Sequence, residues 1–190
     1  VSQREDELRG EAVPVCSTVL GAVLSRVLEV DPPASECAFQ RLTVVHTVAE
    51  RWDELLALYD EEIARTPDTH RRANLLEEAA QTAKDFAGAP DRAATYLIQL
   101  FELRPRDRSL ASSLERLLER QDRYSDLVHL WRTQSEVAPA EEAHGLRLRI
   151  AEALFDRLDS PGDAINELRA MLESDLGDPD GPMEMLERVV

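Results

Sequence analysis

The stretch RWDELLALYDEEIARTP, residues 51–67, decides the fold because it fits a helix in two registers. Trp52, Leu55, Leu56 and Tyr59 suit the first helix of a helical hairpin. Leu55, Tyr59 and Glu62, followed by Pro67, suit the second. Positions i, i+4 and i+7 share one helix face, and a proline beyond the last turn stops the helix. The choice rests on what the rest of the chain repeats.

Shifted against itself by 72 residues, the chain lays LTVVHTVAERWDELLALYDEEIARTP from Leu42 over LERLLERQDRYSDLVHLWRTQSEVAP from Leu114. Trp52 falls on Tyr124, Leu55 on Leu127, Tyr59 on Trp131 and Pro67 on Pro139. This length suits two helical hairpins, and halving it gives a template of closing helices. Its instances are Leu20-Leu24-Val27-Pro32, Leu55-Tyr59-Glu62-Pro67, Ala93-Leu97-Leu100-Pro105 and Leu127-Trp131-Gln134-Pro139. A fifth, Ala164-Leu168-Met171, ends in Leu176, and successive starts lie 35, 38, 34 and 37 residues apart. If Trp52 opened a repeat, the template would land on Asp68 and Arg72, which cannot form an apolar face. Trp52 therefore stands just before a closing helix.

Opening helices are expected at Phe39-Leu42-His46, Leu76-Ala79-Ala83, Ala111-Leu114-Leu118 and Leu148-Ala151-Phe155. Over residues 14–190 this period and closing pattern resemble the tetratricopeptide repeat family. Residue identities are loose: the small residue expected after each opening-helix Leu is Thr43, Ala80, Glu115 and Glu152 here, and Ala80 alone keeps it. Another helical-hairpin solenoid is the alternative. The resemblance implies an all-α, right-handed solenoid of about five stacked hairpins, about ten helices, with no sheet. Residues 1–13 read as a polar segment, 14–181 as the array, and 182–190 as the opening helix of a further repeat. One hairpin cannot cover its own apolar face, so neighbours must stack. With no Met at its start and an unpaired last helix, the chain is expected to be a segment of a longer array.

Connections carry the matching signals. Asp68-Thr69, Asp107 and Ser160-Pro161 offer helix starts. Gly88-Ala89-Pro90 and Ser160-Pro161-Gly162 read as turns within hairpins, and GDPDGP at 177–182 as a turn from which Pro182 opens a helix.

Composition supports helix and limits function. Seven Gly in 190 residues, with Leu, Ala, Glu and Arg dominant, favour helix throughout. The formal net charge of −16 repels phosphate backbones, and the one basic cluster, Arg104, Arg106 and Arg108, is interrupted by Asp107, so no nucleic-acid binding is expected. No apolar run is long enough for a transmembrane helix. Cys16 and Cys37 are too few for a disulfide framework and read as buried, reduced thiols. Acids precede the most apolar stretch, against a leader peptide, so the expected compartment is cytoplasmic, with a periplasmic or secreted chain after leader cleavage left open.

Catalytic and metal signatures do not assemble. Glu141-x2-His144 has di-iron ligand spacing, but its nearest companion, Asp126-x2-His129, has the wrong acid, and a site needs more carboxylates. His46 reads as a packed core histidine and His70 has no evident partner. No phosphate loop, nucleophile elbow or Cys pair exists. Enzyme activity and cofactors are not expected. Trp52, Tyr59, Tyr96, Tyr124 and Trp131 read as core and turn residues rather than a peptide-binding set.

The resemblance implies a concave surface of opening helices that binds a protein or peptide. Its outward residues would be Gln40, Val44 and Thr47; Asn74, Glu77, Gln81 and Lys84; Ser112, Arg116 and Glu119; and Arg149, Ala153 and Asp156. Arg116 and Arg149 are the expected anchors for a carboxylate. Some members grip a peptide C-terminus with a Lys/Asn/Arg clamp; with a single lysine, Lys84, this chain does not assemble one. The other readings are a spacer or self-associating element, using open ends near Val15–Leu20 and Met183–Val190, and a regulatory helical domain of a larger protein.

Overall fold

A computed structural model describes residues 32–174 and 179–189. Among the described residues there are nine helices and no strand. They are α1 (Pro32–Val48), α2 (Trp52–Arg65), α3 (Thr69–Asp85), α4 (Pro90–Leu103), α5 (Arg108–Arg120), α6 (Tyr124–Val137), α7 (Ala140–Asp156), α8 (Pro161–Glu173) and α9 (Asp180–Val189). The polar segment 1–13, the expected closing helix at Leu20, Leu24 and Val27, and Leu176 lie outside the described residues. The chain divides into two compact units between Ala89 and Pro90.

In the first unit, α1 packs on α2 and α2 on α3. Trp52 is the first residue of α2, and the helix ends at Arg65, two residues before Pro67. The template then buries Leu55, Tyr59 and Glu62 together with Leu56 and Ile63. From α1 come Ala38, Phe39 and Leu42, with the Phe39 ring set edge-on to Tyr59 at 5.6 Å. Small residues Ala73, Ala79, Ala80 and Ala83 let α3 approach closely around Leu75 and Leu76. Trp52 stacks at 5.3 Å on Phe86, the C-cap residue of α3.

In the second unit each helix from α4 to α9 packs on the next, and α9 also reaches α7. One core gathers Phe101, Leu114, Leu118, Leu127, Trp131, Ile150 and Leu154. A smaller one gathers Ala151, Leu168, Met171 and Met185. Helix α7 is thus buried on two faces: Leu146, Ile150, Ala153 and Leu154 face one core and Ala151 the other.

Four turns share a device. The residue two positions before α2, α4, α6 and α8 has a left-handed backbone: Glu50 (φ 53°), Gly88 (φ 59°), Asp122 (φ 53°) and Asp159 (φ 48°). This conformation reverses the chain and returns backbone N–H groups to the orphan carbonyls of the helix end. The turns alternate in type. The Arg51 and Arg123 N–H groups donate five residues back, to His46 and Leu118 oxygens at 2.9 and 3.0 Å. The Ala89 and Ser160 N–H groups donate six residues back, to Ala83 and Leu154 oxygens, both at 2.8 Å. The 72-residue self-match is therefore a match of turn geometry as well as of side chains.

Two expectations about turns need correction. The reversing residue before α8 is Asp159, while Pro161 and Gly162 already belong to the helix. Pro182 lies in the first turn of α9, which begins at Asp180, where the missing proline N–H costs nothing. The caps Asp68 and Asp107 form as expected: Asp68 accepts from the Arg71 N–H at 2.7 Å, and Asp107 from those of Ser109 and Leu110. The Ser109 hydroxyl and the Leu110 N–H hold the Asp107 carboxyl below its ordinary range.

Candidate interaction surfaces

The outward rows of the opening helices are mostly open to solvent. In the first unit Gln40, Val44 and Thr47 of α1 are exposed, as are Asn74, Glu77, Gln81 and Lys84 of α3. Val44 and Val48, one turn apart, are 61% and 80% exposed, an apolar pair on α1 of which the sequence reading named only Val44. Thr47 turns its hydroxyl onto the Thr43 carbonyl, and Gln40 reaches Glu36, so these two are partly used within α1. Cys37 is exposed rather than buried, although its chain neighbours Ala38 and Phe39 are buried, because adjacent helix positions point about 100° apart.

In the second unit Ser112, Arg116 and Glu119 of α5 are exposed, and Arg149 and Asp156 of α7 likewise. Ala153 is buried, contrary to its expected outward position, because α7 is packed on two faces. Arg149 is also not an open anchor. Its guanidinium pairs with Glu115, lies 3.9 Å from Glu119, and covers the Trp131 ring at 4.3 Å from the centroid. Trp131 in turn donates its indole N–H to Glu115 at 3.3 Å. Asp156 is held by Arg188. Of the two expected carboxylate anchors, Arg116 is the one left open.

These pairs follow a rule. Arg108–Glu142, Glu115–Arg149 and Asp156–Arg188 join consecutive opening helices at sequence separations of 34, 34 and 32 residues. In the first unit Glu36 and Arg71 do the same. Each is a bond across one repeat. The polarity inverts between units. With the helices aligned at their C-terminal ends, Glu36 of α1 corresponds to Arg108 of α5, Arg71 of α3 to Glu142 of α7, and Glu78 of α3 to Arg149 of α7. The large closing-helix aromatic keeps its polar partner through this change: the Tyr59 hydroxyl donates to Glu78 at 3.3 Å, where Trp131 uses Glu115. Burial, and then the neighbouring Glu78 carboxylate, push the Tyr59 hydroxyl up to about 12.

The third template position differs between the two units. Glu62 is buried, and its carboxylate takes a 2.7 Å bond from Arg71. Its counterpart, Gln134, has a buried Oε1 with no hydrogen-bond partner and lines a cleft of about 210 Å3 in the second unit. The signal was present in the Glu-to-Gln exchange within the template.

The histidine expectations divide. His46 sits half-buried at the edge of the first core, where burial and the nearby Arg51 push its imidazole below the ordinary value. The metal-spaced pairs have other company: Asp126 binds Arg123 at 2.6 Å, and His129 lies 3.8 Å from Glu102. Among the described residues no group of three or more His, Cys, Asp or Glu is placed to hold a metal ion. No described helix is long and apolar enough to cross a membrane.

No model of a known protein family matches this chain, and no curated protein matches it in sequence.

Proposed function

We propose that the chain is a protein-interaction scaffold of tetratricopeptide-like solenoid character, binding a protein or peptide through the outward faces of its opening helices. The observation that carries this reading is a set of exposed opening-helix side chains the fold does not use. Asn74, Gln81 and Lys84 on α3, and Arg116 on α5, stand in solvent with no hydrogen bond or ion pair to the rest of the chain. Such residues cost no fold interaction to redirect, and an Arg can take a carboxylate bidentately. The sequential packing within each unit and the recurring turn support the repeat character.

The test uses a photo-crosslinking residue at Gln81 or Arg116, with exposed Arg169 of closing helix α8 as control. Adducts from the opening-helix positions alone support the surface, and Arg116→Glu should then weaken capture with helical content unchanged. Equal adducts from Arg169 would sink it. One observation favours an architectural spacer instead: Arg149 and Asp156 are spent on bonds between repeats. Crosslinks only between copies of the chain would select that role.

A further inference from the structure

The cleft beside Gln134 lies in the second unit, between the loop before α5, the start of α5, the end of α6 and the start of α7. It is lined by Pro105, Arg106, Arg108, Ala111, Gln134, Val137, Ala138 and Glu142. Four of these are apolar. The polar set is two guanidinium groups, one carboxamide and one carboxylate. Glu142 is already bonded to Arg108 at 2.8 Å, so Arg106 is the uncompensated charge: it is exposed, with no bond to the fold.

The first unit differs in charge at the matching position. There the third template position is Glu62, whose buried carboxylate is bound by a guanidinium. In the second unit the same position carries a neutral amide, a cleft lies beside it, and the Arg106 guanidinium that lines the cleft has no anion. Gln134 meanwhile has a buried side-chain oxygen with no hydrogen-bond partner in the chain. Rotating the carboxamide by half a turn exchanges its oxygen for an N–H donor, so it can serve an acceptor in the cleft.

We infer that this cleft is a binding site for a carboxylate on a short apolar stem, seated against Arg106, Arg108 and the Gln134 amide. At about 210 Å3 the site is below the usual ~300–1,000 Å3 of a drug-sized pocket, so it accepts a group of a few carbons. That group is either a free small acid or an Asp or Glu side chain on another protein. The apolar walls at Pro105, Ala111 and Val137 suit the stem. The inference does not depend on the outward row of the opening helices, which lies on other residues.

The experiment is a 15N NMR titration of the full chain with sodium propionate and, separately, with a short blocked peptide containing one Glu, against sodium chloride at matched ionic strength. Saturable shifts of the Arg106 and Arg108 Nε–H and Gln134 side-chain amide signals are expected. Tighter saturation by the propionate assigns the site to free acids, and by the peptide to a protein side chain. Arg106→Ala, which removes no bond of the fold, should weaken binding about tenfold. Gln134→Glu places the carboxylate within the chain as Glu62 does, and should abolish binding while the fold is retained. The inference is overturned if neither probe exceeds chloride, or if both variants bind like the parent chain.

Discussion

Glu50, Asp122 and Asp159 hold a backbone shape that L-residues adopt at a cost of roughly 1–2 kcal/mol, because Cβ crowds the following carbonyl. Gly88 holds it free of that cost, and a Cβ built there meets open space. Equivalent turns therefore give opposite signs on substitution. Asp122→Gly should raise stability by about 0.5–1 kcal/mol and Gly88→Ala should lower it by about 1 kcal/mol, read as shifts of the urea midpoint. Tyr59 offers a second residue-level check. With its hydroxyl pushed up to about 12, its neutral form is preferred in the folded chain. Its contribution is whole below the ordinary tyrosine value near 10 and is lost as pH climbs from there through about 12. A chain carrying Tyr59→Phe should therefore lose less stability on alkaline titration than the parent, in unfolding curves taken across that window.

Among the elements, the ion pairs between helices separate into strong and weak by the burial of their acids. Arg71 satisfies a carboxylate that is almost fully buried, whereas Arg108 and Glu142 are both largely in water. Removing Arg71 strands the Glu62 charge, so Arg71→Ala should cost about 2 kcal/mol, short of the ~3–5 kcal/mol of a fully buried pair. Arg108→Ala should cost under about 1 kcal/mol, and half-molar salt should erase it. Thermal melts with and without salt distinguish the two. Helix starts and closing faces were legible in the sequence because they depend on local rules. Asp107 caps by hydrogen bonds two and three residues away, and Leu55, Tyr59 and Glu62 share a face at fixed angular spacing. The outward row of α7 was less legible. One helix period cannot tell that a second neighbour buries Ala153, nor that Arg149 is drawn onto Trp131 and Glu115, since both depend on residues a repeat away.

For the molecule as a whole, the second unit carries its own core from α4 to α9, with Leu114, Leu118, Leu127, Ile150 and Leu168 all essentially free of solvent. Residues 90–190 produced alone should accordingly fold to a helical, cooperatively melting domain, checked by circular dichroism. A repeated helix pattern carries a hazard: α6 and α7 have the lengths of α2 and α3 and follow the same kind of turn, so the wrong helices can pair or trade places between two copies. The inverted polarity guards against this. In the exchanged pairing Glu36 would confront Glu142 and Arg71 would confront Arg108, like against like, while the correct order sets each charge against its opposite. Where both partners are exposed these bridges add little to the finished fold, and in the exchanged order they become repulsions that disfavour it.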